Sequence, residues 1–152
     1  QVYLPWGPNF AVRTVEQRQC LYDLKLGMAP GQRRRGEETD VLERIRRSGA
    51  SGYWVPEARV EHCARKDMQT TDYIAGYFRS SGETAAFLEG KDPVGKGWFG
   101  VPRWAWRRLI ESWLKYQLHR RISAPKIWLK YLRDYNSVWG AISHWRGSRG
   151  RE

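Results

Sequence analysis

The sequence predicts an α/β module followed by a basic helical extension, and three observations carry that expectation. The first is alternation: short apolar runs broken by Pro and Gly alternate with capped helical stretches through the first 90 residues. The second is charge. The 152 residues carry a net +11, yet residues 97–152 hold 12 Lys/Arg against three Asp/Glu, so nearly all the excess lies there. The third is tryptophan, seven of whose nine copies fall in that same stretch. The domain reading is therefore 1–90 for the first module, 91–97 for a Gly- and Pro-containing linker, 98–146 for the Trp-rich amphipathic helices and 147–152 for a frayed tail.

Composition excludes several classes. With 14% aromatic and 41% apolar residues the chain is neither disordered nor collagen-like. Two cysteines, Cys20 and Cys63, make no disulfide framework, and with His62, His119 and His144 they do not space as a zinc finger. A reducing compartment is the simpler reading. There is no uncharged apolar run long enough to span a bilayer and no signal-peptide pattern at the start. Gln in the first position points to a chain that begins partway through a larger protein.

Each element has a local reason. Val2-Tyr3-Leu4 reads as a short strand stopped by Pro5, and Trp6-Gly7-Pro8-Asn9 as a turn. Phe10-Ala11-Val12 is a second apolar run. Thr14 with Gln17 forms a capping box, predicting a helix from Val15 to about Leu21. Residues 29–36 form a basic loop. Thr39 caps a helix with Val41, Leu42 and Ile45 on one face, ended by Ser48-Gly49. Tyr53-Trp54-Val55 and Ala58-Arg59-Val60 read as strand bent at Pro56, and Thr71 opens a helix with Ile74, Tyr77 and Phe78 on one side, weakened near Gly82.

In the extension, Trp106, Leu109, Ile110, Trp113, Leu114 and Leu118 fall on one helical stripe after Pro102. A second helix opens with Ser123 near Pro125 and continues through Trp128, Tyr131, Leu132, Tyr135, Val138, Trp139 and Ile142. Amphipathic, cationic, Trp-bearing helices suit the surface of an anionic bilayer. The same Trp106, Trp113, Trp128 and Trp139 equally suit a core between two helices packed on the first module, and both readings stay open.

The chemistry-bearing stretch is Gly36-Glu37-Glu38-Thr39-Asp40, three carboxylates within four residues where a glycine enters a helix. Alone, such a stretch serves the positive end of the helix dipole. His62, at the end of the aromatic stretch, is alone an ordinary structural histidine. Their order, however, is informative. The Trp6-Gly7-Pro8-Asn9-Phe10-Ala11-Val12-Arg13 loop, the acidic helix start, Gly49, and Tyr53-Trp54-Val55-Pro56-Glu57-Ala58-Arg59-Val60-Glu61-His62 follow one another within 62 residues.

That ordered set, from about Leu4 to Gly82, resembles the C-terminal half of the catalytic domain of family 2 glycosyltransferases. The resemblance implies a partial GT-A (Rossmann-like) domain that lacks its N-terminal nucleotide-binding half. It implies inverting, metal-dependent transfer of a sugar from a nucleotide-sugar donor to a glycan or lipid-linked acceptor, with this piece inactive alone. By the same resemblance Glu38, or its neighbour Glu37, is the general base. His62 is a ligand for Mn or Mg, Gly7 and Asn9 approach donor or acceptor, and Arg65 and Lys66 neutralise phosphate. The family's Asp-any-Asp metal pair is absent from this sequence. The setting implied is cell-envelope polysaccharide synthesis on the cytoplasmic, inner face of the plasma membrane. Two other classes compete: a nucleic-acid-binding module, disfavoured because its aromatics also form the apolar stripe, and a non-catalytic interaction protein derived from a transferase.

Overall fold

The computed structural model of the chain describes residues 4–5, 9–27, 34–90 and 97–148. Among the described residues, five α-helices, one 3-10 turn and one two-stranded antiparallel pair make up the regular structure. The α/β, Rossmann-like expectation is therefore overturned: among the described residues the architecture is helical, and the strands number two residues each. The chain forms two compact units, residues 1–64 and 65–152.

The first unit contains α1 (Thr14–Gln19) and α2 (Glu37–Arg47). Arg13, not Thr14, is the N-cap of α1, and the expected capping-box bond is not made; Gln17 instead donates from Nε2 to the Cys20 carbonyl at 2.9 Å. α2 begins earlier than Thr39, directly after Gly36, whose φ of 91° only glycine adopts at little cost. It ends at Ser48, and Gly49 at φ 94° turns the chain away, as the sequence predicts. Leu26, Val41 and Ile45 form the buried centre of this unit among the described residues.

Among the described residues the strand expected over Tyr53–Val60 does not form. Phe10–Val12 is irregular, and residues 51–62 are exposed and without regular structure apart from a turn at Pro56-Glu57. The backbone bonds there are local, Ala58 N–H to Val55 O at 3.1 Å and Arg59 N–H to Glu57 O at 2.9 Å. A strand persists only where a neighbouring strand takes its N–H and C=O groups, and none is present among the described residues. Val2-Tyr3, Gly7, residues 29–33, most of the 91–97 linker and residues 149–152 lie outside the described residues.

The second unit opens with the 3-10 turn Lys66–Gln69 and α3 (Thr71–Glu89). Thr70 caps α3, its Oγ1 accepting from Tyr73 N–H at 3.2 Å. The antiparallel pair β1 (Gly97–Trp98) and β2 (Val101–Pro102) follows. Its Phe99-Gly100 turn has positive φ at both positions, the geometry that matches strand twist in two-residue hairpins. Then come α4 (Arg103–Ile122) and α5 (Pro125–Ser148), the latter with Pro in the first helical position.

α5 packs on both α3 and α4. Ala86 of α3, Val101, Ala105, Leu109, Val138, Ile142 and Trp145 form one buried cluster, with Trp106, Tyr135 and Trp139 against it. Gly82, read from sequence as a weak point, is where α3 and α5 meet: a Cβ there would lie 2.6 Å from the Ser137 carbonyl carbon. Gly140 is its counterpart on α5, a Cβ there lying 2.8 Å from the carbonyl carbon of Arg79. Beside this crossing the fully buried Asn136 accepts from Arg79 at 3.2 Å and donates to Leu132 O at 2.9 Å.

Candidate functional site

In the first unit the acidic turn of α2 assigns its carboxylates different tasks. Gly36 delivers the chain so that Glu37, Glu38 and Asp40 all fall in the first turn. Asp40 accepts from Arg44 at 2.8 and 2.9 Å, and Arg44 also donates to Leu21 O at 2.6 Å, tying α2 to the chain after α1. Glu43, one turn on, accepts two bonds of 2.7 Å from Arg46 and one of 3.0 Å from Arg47. The Arg46 hydrogen bonds pull its carboxyl from an ordinary 4.5 down to about 2. The Glu37 side chain lies beside Gly27, where a Cβ would come within 3.6 Å of its Cδ. Glu38 is half-buried and, among the described residues, makes no ion pair and no side-chain hydrogen bond.

Asn9 is engaged structurally. Its Nδ2 donates to Ala58 O at 2.9 Å across 49 positions, so the glycine-asparagine loop and the aromatic-proline stretch meet in one unit. Within that stretch Tyr53 and Trp54 are 91% and 79% exposed. His62 lies on the exposed segment that continues from it, and no hydrogen bond or ion pair joins it to Glu38. Among the described residues no three His, Cys, Asp or Glu side chains gather as a metal-binding set. Arg65 and Lys66 belong to the second unit. Arg65 forms an exposed pair with Asp67 at 2.8 Å, and Lys66 opens the 3-10 turn.

The four tryptophans nominated in the extension separate. Trp106 and Trp139 pack on the core, and the Trp106 indole N–H donates to Trp98 O at 3.2 Å. Trp128 is half-buried with Tyr116 at 6.1 Å between ring centroids, while Trp113 remains exposed. The predicted single stripe of α4 is in fact two faces. Ala105, Leu109 and Ser112 turn inward, whereas Ile110, Leu114, Leu118 and Ile122 stay 53–69% exposed.

Alongside that outer ridge, α4 and α5 enclose an open cleft of about 390 Å³. Arg107, Arg108 and Lys115 line it from α4, Tyr131 and Asp134 from α5. Arg107 donates to Glu111 at 2.7 Å, a bond that holds the Glu111 carboxyl below its usual range and keeps Arg107 charged. The sequence reading placed Ile110, Leu114 and Leu118 on the stripe without separating them from the buried Leu109, and it did not single out the cleft. Their one legible signal was apolar residues covering more than half the helix circumference.

No helix among the described residues is long and apolar enough to cross a membrane. Comparison with protein-family models, with curated proteins and with solved structures finds no match.

Proposed function

We propose that the chain is the acceptor-side part of an inverting glycosyltransferase that moves a sugar from a nucleotide donor to a glycan or lipid-linked acceptor. The observation that carries the reading is the Asn9–Ala58 hydrogen bond, which brings together two motif segments 49 residues apart, the two that flank the acidic motif in the chain. The division of labour on α2 supports it, since Asp40 and Glu43 are held by arginines while Glu38 is not. The helical architecture carries no part of this proposal.

In that reaction the Glu38 carboxylate takes the proton of the acceptor hydroxyl. The hydroxyl oxygen forms a bond to the anomeric carbon from the face opposite the leaving group. The bond from that carbon to the diphosphate oxygen breaks, and its electron pair departs with the nucleoside diphosphate. The described residues do not supply a metal site, so stabilisation of the leaving group is not assigned to any of them. Asn9 positions the Tyr53–His62 stretch through Ala58, and the exposed rings of Tyr53 and Trp54 offer apolar faces for a sugar.

The test is nucleoside diphosphate release by the natural protein from a panel of uridine, guanosine and thymidine diphosphate sugars, with a lipid extract as acceptor. Release together with transfer of label to the lipid is expected. No release from any donor contradicts the proposal and leaves the non-catalytic interaction protein as the better account.

A further inference from the structure

We infer that the outer face of α4 is a docking surface for an anionic phospholipid bilayer. The inference stands apart from the transferase reading, since every residue it uses lies in the second unit.

Helical residues four apart stack into a ridge, and Ile110, Leu114, Leu118 and Ile122 make one about 18 Å long at 1.5 Å per residue. These residues are 55, 53, 57 and 69% exposed, so the ridge is not covered by the core. The inward face of the same helix already has Ala105, Leu109 and Ser112 against the core. Four large aliphatic side chains in a row on water are not needed for folding and are costly to leave wet.

Charge decides the occupant. α4 carries six Lys/Arg and a single carboxylate, Glu111, which Arg107 occupies. The ridge runs between a row containing Arg107 and Lys115 and a row containing Trp113 and Arg121. A second copy of this face would set like charges against each other. A nucleic acid would satisfy the cations but not the aliphatic ridge. An anionic bilayer satisfies both: leucine and isoleucine enter below the headgroups, Trp113 sits at their depth, and the cations meet lipid phosphates. The cationic cleft at Arg107, Arg108 and Lys115 flanks the ridge and offers those phosphates a recess. Because no described helix is built to span, the mode is a helix lying in the interface plane.

The experiment is flotation of the full chain with vesicles of phosphatidylcholine alone and of phosphatidylcholine mixed with phosphatidylglycerol. Binding to the mixed vesicles, weakened by salt and absent with phosphatidylcholine alone, is expected. The double variant Leu114→Ser/Leu118→Ser, at exposed positions that leave the fold intact by circular dichroism, is expected to weaken partitioning at least about tenfold. Arg121→Glu with Lys115→Glu is expected to abolish the preference for anionic lipid, whereas Arg18→Glu on α1 leaves it unchanged. Equal binding to both vesicle types, binding to neither, or wild-type partitioning by the leucine variant overturns the inference. A dimer in solution that the leucine variant dissociates, without vesicle binding, assigns the face to a second copy instead.

Discussion

Replacing Gly140 by Ala tests the packing of the second unit at its tightest point. A Cβ at this position lies 2.8 Å from the carbonyl carbon of Arg79 and 2.9 Å from Glu83 N, and closer still to the Arg79 carbonyl oxygen. Ordinary contact begins at 3.4 Å, so the Arg79 carbonyl carbon alone requires α3 and α5 to part by 0.6 Å, and its oxygen requires more. The obstacle is backbone, so no rotamer change relieves it, which puts the cost near the top of the usual overpacking range, about 3 kcal/mol. Alanine's better helix propensity returns about 1 kcal/mol. The net loss of about 2 kcal/mol lowers the midpoint of thermal unfolding by roughly 8–16 °C for a unit of this size. Gly76→Ala on α3 is the internal control: a Cβ there meets nothing within 4 Å, so propensity alone acts and stability rises by about 0.5–1 kcal/mol. Thermal unfolding followed by circular dichroism reads both. The reasoning is refuted if Gly140→Ala is neutral or stabilising, or if the two variants shift the midpoint alike. Gly82→Ala added to Gly140→Ala is expected to cost less than its single value, since the first substitution has already separated the helices.

Two further outcomes follow from buried or paired polar groups. Asn136→Ala removes the bonds to Arg79 and Leu132 from a fully buried position and is expected to destabilise the second unit by about 1–3 kcal/mol in denaturant unfolding. Glu43 binds its proton more weakly when folded, with its carboxyl at about 2 against an ordinary 4.5. Its support of α2 is thus complete above pH 4.5 and fades as pH falls toward 2. The protection of α2 amides, relative to their intrinsic exchange at each pH, is expected to fall across that window, and Glu43→Gln to remove that part of the dependence.

The helices were largely legible in the sequence because their signals are local. Gly49 ended α2 for backbone reasons that need no tertiary knowledge, whereas Ser123, read as the cap of the last helix, closes α4 instead, and α5 begins at Pro125. The strands were misread because Tyr53–Val60 has strand composition, and composition does not reveal whether a neighbouring strand exists to bond it. The role of Gly82 was equally hidden: a glycine that weakens an isolated helix is what lets α5 approach this one. On α4, periodicity identified apolar positions but merged Leu109, which is buried, with Leu114 and Leu118, which are not. In the sequence the candidate site rests on an order of motifs alone; the Asn9–Ala58 bond and the pairing of Asp40 with Arg44 and Glu43 with Arg46 required coordinates.

The central claim is that Glu38 acts as a base in sugar transfer, and turnover by Glu38→Gln beside Glu37→Gln measures it most directly. With the donor found by the nucleotide-sugar panel, Glu38→Gln is expected to lower kcat by about 10²–10⁴ while Glu37→Gln stays within about tenfold of wild type. Retained turnover in Glu38→Gln, or the larger loss in Glu37→Gln, contradicts the account.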